Sequence, residues 1–287
     1  MKCRMSRIAA AAILVMAAAG HAYAQSSESV KKPPAAAAKQ KAPAAVAVTE
    51  SQKQAQAILT RMAEFLGGTQ RFSVSVRAGY DAVQKSGQKI EFGENRKVTL
   101  ARPDRLRVEG ERSDGVKILT VFDGKEITLI DSGSNVYATA PQPGGVDAAI
   151  VHFVRDLGMR LPLAMLLVSQ LPAELKERVQ SMDYVEKTSI HGAPSHHLAG
   201  RTDAVDFQAW VADGEEPLLQ RVVLTYKKAP GQPQFRAQFS DWNLAPAITD
   251  ATFAANAPDG AQKVAFAAQL PRLAPAVRKP SADKGAK

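Results

Sequence analysis

The chain has 287 residues, 45% of them hydrophobic, 23% charged and 6% aromatic, the composition of a folded domain with enough apolar content for a sizeable core. No uninterrupted apolar run reaches the roughly 18 residues that a membrane-spanning helix needs. The formal charge of +9 is gathered at the ends: residues 1–24 and 25–47 each carry +3 and residues 272–287 carry +4, which leaves −1 for residues 48–271. A nucleic-acid surface needs its basic residues on a folded face, so this distribution argues against nucleic acid as a partner. Basic tails on a balanced body fit solubility, or at most a peripheral attraction to anionic lipid headgroups.

Lys2, Arg4 and Arg7 precede an apolar stretch from Ile8 to Ala19, followed by Ala22-Tyr23-Ala24. A basic head, an apolar stretch of about 7–15 residues and an A-x-A site describe a secretory signal peptide, with cleavage expected after Ala24. Cys3, the only cysteine, lies in the basic head and not after the apolar stretch where a lipid-bearing cysteine would stand. The mature protein is expected to have no disulfide and no lipid anchor, so the core of residues 48–271 supplies its stability. Residues 25–47 are Ala, Pro, Lys, Ser and Gln with almost no bulky apolar side chain, and read as a flexible leader. Residues 272–287 read as a basic tail of the same kind.

Thr49-Glu50-Ser51-Gln52 has the pattern of a capping box. Ile58, Leu59, Met62, Phe65 and Leu66 then recur at helical spacing, and Gly67-Gly68 is the expected stop. From Phe72 to Ala140 the apolar period changes to two, with Asp114-Gly115, Asp123-Gly124 and Ser132-Gly133-Ser134-Asn135 as turn signals. About six antiparallel strands follow, linked too briefly for crossover helices. Residues 146–180 return to helical spacing: Val146, Ile150, Phe153, Val154 and Leu157 form a stripe, and Pro172 opens a last helix with Glu174 and Arg178 at i and i+4. Between them, Leu163–Leu171 has almost no polar face and reads either as a core helix or as a lid over something apolar. Strands resume near Met182, with 207–211, 219–226 and 235–242 the clearest. The whole is α+β, with one antiparallel sheet of about ten or eleven strands and helices available to cover one face.

Catalytic motifs are sparse. The chain has no Gly-x-Ser-x-Gly, His-Glu-x-x-His or Cys-x-x-Cys, and no cofactor is expected. His191, His196 and His197 are the one histidine cluster. Neighbouring strand residues face opposite sides, so His196 and His197 are not expected to share an ion, and His191 plus one of them, with a carboxylate such as Asp203, is the weaker alternative. Asp241 is read as a strand-end ion-pair residue, and Trp210 and Trp242 as core residues rather than pocket walls.

Three ordered stretches, Ala101-Arg102-Pro103-Asp104-Arg105-Leu106-Arg107, Val121-Phe122-Asp123-Gly124-Lys125-Glu126-Ile127 and Phe253 through Pro258-Asp259-Gly260-Ala261, resemble the superfamily of periplasmic lipoprotein-localisation factors, LolA and LolB. Residues 207–246 look closer to an uncharacterised exported branch of it. The resemblance implies a strongly curved half-barrel sheet whose concave face and helices enclose an apolar cavity, with residues 48–271 as one such domain in the periplasm. It also implies that Arg102 helps hold a lid closed. On this basis the expected function is non-catalytic binding of a hydrophobic ligand such as a lipid or a lipoprotein acyl chain. Phe72, Val74, Val76, Val98, Leu100, Leu106, Val108, Leu119 and Val121 would line the sheet, Phe153, Met165 and Leu166 would belong to the lid, and Arg102 would be the latch. The alternative is an envelope sensor or scaffold that binds another envelope protein through the same fold; an envelope hydrolase lacks a recognisable nucleophile and base.

Overall fold

A computed structural model describes residues 48–189 and 192–269; the signal peptide, the leader, the basic tail, Cys3 and His191 lie outside the described residues. The first helix, α1 (Glu50–Gly68), starts as expected. Thr49 Oγ1 accepts from the Gln52 amide at 3.2 Å and Gln52 Oε1 accepts from the Thr49 amide at 2.9 Å, which satisfies donors that a helix start leaves free. Its end differs from the expected glycine stop. Thr69 adopts an extended conformation, and its N–H and hydroxyl both return to the Phe65 carbonyl.

Six strands follow: β1 (Arg71–Val83), β2 (Lys89–Ala101), β3 (Arg105–Arg112), β4 (Lys117–Phe122), β5 (Glu126–Asp131) and β6 (Val136–Pro141). The helical stripe at 146–157 is α2 (Val146–Val151) continued by a π-helical turn, His152–Asp156. That wider turn brings Phe153 and Leu157 into the core and leaves Val154 exposed, contrary to the stripe read from 3.6-residue spacing. The second departure is Leu163–Leu171, which forms no helix beyond a short 3-10 turn at Ala164–Leu167. We call residues 159–170 the strap. α3 (Leu171–Arg178) begins with Pro172 in its first turn and carries the expected Glu174–Arg178 ion pair at 2.6 Å. A second meander follows: β7 (Ser181–Thr188), β8 (Ser195–Arg201), β9 (Val205–Ala212), β10 (Leu219–Tyr226) and β11 (Gln234–Asn243). A two-residue β12 (Gln262–Lys263) pairs parallel with β6. Among the described residues it makes the only parallel pairing in a sheet otherwise antiparallel.

The twelve strands form one curved, unclosed sheet in the order β12-β6-β5-β4-β3-β2-β1-β11-β10-β9-β8-β7. Each meander keeps its chain order, and β1 pairing with β11 joins the two. Residues directly opposite in an antiparallel pair share a face, so the register assigns the faces. Phe72 stands opposite Leu100, which is followed across the sheet by Leu106, Phe122, Ile127 and Ala140. One step along, Val74 is followed by Val98, Val108, Thr120 and Leu129. These rows form the inner face, packed with α1, α2 and the strap in one core cluster.

Leu119 and Val121 are not on that face. Leu119 stands opposite Glu109 and Ile130, and Val121 opposite Arg107 and Thr128, so both point outward and their assignment to the inner wall is corrected. β4 misleads because it is apolar on both sides. Val121 is buried on the outer face, and the 3-10 turn Asp250–Phe253 packs on the neighbouring β3. The Arg107 guanidinium donates to the carbonyls of Thr252 and Ala254, which holds that turn in place. The face assignment predicts that Phe122→Ala lowers unfolding free energy by about 3–5 kcal/mol, whereas Leu119→Ala, removing a half-buried side chain, costs about 1 kcal/mol or less. Urea denaturation of the two variants measures the difference.

Candidate binding hollow under the strap

The strap crosses the inner face as an apolar ribbon. Leu161, Leu163 and Leu166 are half-buried and Leu167 is buried. Leu163 takes φ 65°, a left-handed conformation that costs a branched apolar residue about 1–3 kcal/mol and persists only where its surroundings enforce it. Gly67 of α1 permits the crossing, because a Cβ there would lie 2.8 Å from the Ser169 carbonyl oxygen.

Arg102, just beyond the end of β2, ties the strap down. Its side chain is 8% exposed. Nη2 donates to the Leu167 carbonyl at 2.9 Å, Nη1 to Asp147 Oδ1 at 3.3 Å and Nε to the Thr69 carbonyl at 3.2 Å. Asp147, in the first turn of α2, also accepts from the Ser169 amide at 3.1 Å and from the Ser169 hydroxyl. One guanidinium therefore joins the end of α1, the start of α2 and the strap. Burial pulls the Arg102 guanidinium below its ordinary pKa, while the attraction of Asp147 and its hydrogen bond oppose that shift; the group stays a cation throughout the physiological range. The side chain predicted as the latch thus meets strap residues directly.

Beneath the strap the inner wall is neither open nor wholly filled. A narrow cavity of about 40 Å³ lies between Pro162–Leu163 and Leu166–Leu167 on one side and Phe72, Val74, Val76, Val98, Val108 and Phe239 on the other. A wider one of about 190 Å³ lies beneath Phe153, Met159 and Leu161, with Val108, Thr120 and Leu129 in its wall. Val108, Arg96 and Leu161 border both. Of the residues predicted to line the site, Phe72, Val74, Val76, Val98, Val108, Phe153 and Leu166 are brought together here. Leu100 and Leu106 share the inner face but are packed solid in the core, and Met165 sits in the strap without bordering either cavity.

Sequence reasoning missed Arg96, Phe239 and Trp242. Arg96 was within reach, since it lies two residues before Val98 on an alternating strand. Phe239 and Trp242 needed the β1–β11 pairing, which no local pattern displays. Trp242 borders the narrow cavity, with its ring 5.4 Å from that of Phe72 and its Nε1 donating to the Leu219 carbonyl; it is a wall residue as well as a core one. Trp210 lies on the outer face, stacked at 4.1 Å on His197. His196 reaches Tyr184 and Asp213, while His197 reaches Gln208, so the two diverge as their adjacency implies. Asp203 pairs with Lys228. Asp241 accepts from the Ser240 hydroxyl and forms no ion pair among the described residues, contrary to expectation.

Larger depressions occur elsewhere. A trough of about 660 Å³ crosses the outer face past Arg77, Lys97, Glu109, Leu119 and Ile130, and a groove of about 540 Å³ between α1, α3 and β7 is lined by Gln52, Leu59, Glu64, Leu175, Lys176 and Met182. Both are open to solvent, and among the described residues only the inner hollow lies under a segment tied down by Arg102.

Residues 55–267 match the family described as "Predicted periplasmic protein (DUF2092)". The chain belongs to that family. The match agrees with the exported branch to which residues 207–246 pointed. No curated protein matches the chain. Solved structures similar to it include the lipoprotein LppX of Mycobacterium tuberculosis, with 13% identity over 69% of this chain and 100% of that one and a TM-score of 0.44. An uncharacterized conserved protein from Thermus thermophilus has 14% identity over 74% and 99%, at 0.43. A LolA superfamily protein from Nitrosomonas europaea has 12% identity over 70% and 97%, at 0.37.

The latch geometry predicts the behaviour of Asp147→Asn. The variant leaves the nearly buried Arg102 cation without its counter-charge and is expected to lose about 1–3 kcal/mol of stability. Proteolytic cutting should quicken between residues 159 and 170 while the sheet stays protected. Mass-mapped limited proteolysis reads this out, and cleavage unchanged in the strap would deny Asp147 a role in closing it.

Proposed function

We propose that this protein is a non-catalytic periplasmic binding protein that receives the apolar part of a lipid-like ligand between the inner sheet face and the strap. The observation that carries the reading is the strap itself: an almost wholly apolar segment, strained at Leu163, tied across the hollow through Arg102. Ligand pockets usually run to about 300–1,000 Å³, more than the two cavities offer. Leu163, Leu166 and Leu167 occupy the space a guest chain would take, so binding requires the strap to lift and the guest to replace its leucines.

The energetics suit such an exchange. Burying an acyl chain gains about 0.8 kcal/mol per methylene before ordering costs. Releasing the strap exposes a few leucines and frees a strained backbone position. Arg102 sets the threshold, because lifting the strap breaks its bond to the Leu167 carbonyl and the Asp147–Ser169 contacts together.

Native mass spectrometry of protein purified without delipidation, with uptake of an environment-sensitive dye such as N-phenyl-1-naphthylamine, tests the reading. Bound lipid or saturable dye uptake is expected. Arg102→Ala should speed uptake, and Val108→Phe, which fills the part shared by both cavities, should abolish it while circular dichroism stays unchanged. A wild-type protein that carries no lipid and takes up no dye would end the proposal.

A further inference from the structure

We infer that the guest is an anionic amphiphile whose carboxylate or phosphate head is held by Arg96 and Arg160 while its chain lies beneath the strap. This rests on the reading of the hollow as a ligand site and specifies the chemistry of that ligand.

Arg96 projects from the inner face of β2, opposite Val76 on β1 and Gly110 on β3. It borders both cavities, and its side chain is 15% exposed. Its partner Glu94 sits two residues earlier on the same face, 2.6 Å away and 14% exposed. An ion pair so withdrawn from water, beside the apolar side chains of Val108, Leu129, Phe153 and Leu161, is hard to account for by stability. Withdrawing both charges from water costs several kcal/mol, and apolar side chains of similar volume usually serve a core as well or better. A glycine directly opposite leaves the space beside the guanidinium unfilled by any side chain of that residue. The position fits a binding group held ready by a resident carboxylate that an incoming anion can replace or join.

The other charges at the wider cavity distinguish the sign of the guest. Arg112 is paired with Asp114 at 2.6 Å. Asp131 accepts from the amides of Gly133 and Ser134 and from the Ser134 hydroxyl, so its oxygens are already engaged by the β5–β6 turn. Glu94 is engaged by Arg96. Arg160, at the start of the strap, borders the same cavity and makes no ion pair or hydrogen bond among the described residues; burial raises the pKa of the Tyr226 phenol, and the Arg160 charge opposes that rise. The carboxylates are thus satisfied, and the group with vacant donors is a guanidinium, whose planar fork matches carboxylate and phosphate oxygens. Because Arg160 belongs to the strap and Arg96 to the fixed sheet, one anion bridging them would tie the occupied state closed in place of the leucines that leave.

Three ligands with one chain and different heads test this: oleate, oleyl alcohol and oleylamine, with inorganic phosphate as a chainless control, each titrated against wild-type protein by displacement of the dye. Oleate is expected to bind roughly tenfold more tightly than the alcohol, with the amine weakest. Arg160→Gln, a change at an exposed residue, should bring oleate to within about twofold of the alcohol. Since Arg96→Gln alone would strand the Glu94 charge and could unfold the protein, the double variant E94Q/R96Q is the second probe, and it should lose the same preference. Equal binding of oleate and alcohol, or tighter binding of the amine, would overturn the inference while leaving the hollow a ligand site. Inorganic phosphate binding as tightly as oleate would overturn it in favour of a free-anion site. If no chain compound binds, the hollow reading fails and this one with it.

Discussion

β1 is held on both sides, by β2 through thirteen residue pairs and by β11 from Tyr80 to Ser73. The second pairing is the constraint on which the molecule depends. Without it β1–β6 and β7–β11 would be two separate meanders, each with an exposed edge at the point where they now meet. With it Val76 stands opposite Phe239, Ala78 opposite Ala237 and Tyr80 opposite Phe235, and two half-walls become one. The narrow cavity lies across this junction, its floor drawn from β1 and β2 on one side and β11 on the other. A register shift here would turn Phe72, Val74 and Val76 away from the helices and expose the core.

A wall joined in this way needs a cover, and the cover is assembled from unequal parts. α1 packs against β7, β9, α3 and the 3-10 turn of the strap and is a conventional amphipathic helix with Leu59, Met62 and Leu66 buried. The strap is different. Pro162 interrupts any helix that would run through it, and the apolar run from Leu161 to Val168 cannot remain in water, so it is laid flat across the sheet with its carbonyls seeking donors. Arg102 supplies one to Leu167. The same guanidinium reaches Asp147 and the Thr69 carbonyl, so the end of α1, the start of α2 and the strap close as a unit. A cover tied at one cation, with a strained residue at its middle and space left beneath it, differs from a core that has been filled to native density.

Charge placement follows from the same geometry. The sheet body is close to neutral, and most of its ion pairs lie at solvent-facing positions where they contribute little. The Arg96–Glu94 pair is among the exceptions, enclosed by the strap. Its enclosure comes from the strap and not from the strand, which is why the chemistry of the hollow is a property of the assembled molecule.

Much was legible in the chain alone. The capping box at Thr49, the period of two from Phe72 to Ala140, the turn glycines and the Arg102-Pro103 junction each encode a local backbone choice, and local choices are written in neighbouring residues. On β1, β2 and β3 polar and apolar residues alternate and the alternation indicates the face, whereas on β4 Ile118, Leu119, Val121 and Phe122 put apolar residues on both sides and it does not. The strap was recognised as apolar but not as non-helical, since Leu163 turns left-handed only under contacts from the sheet. That Arg96 faces a cavity, that Phe239 and Trp242 share it with Phe72, and that Arg102 meets Leu167 sixty-five residues away were decided by tertiary structure, because they depend on which distant strands pair and on what is laid over them.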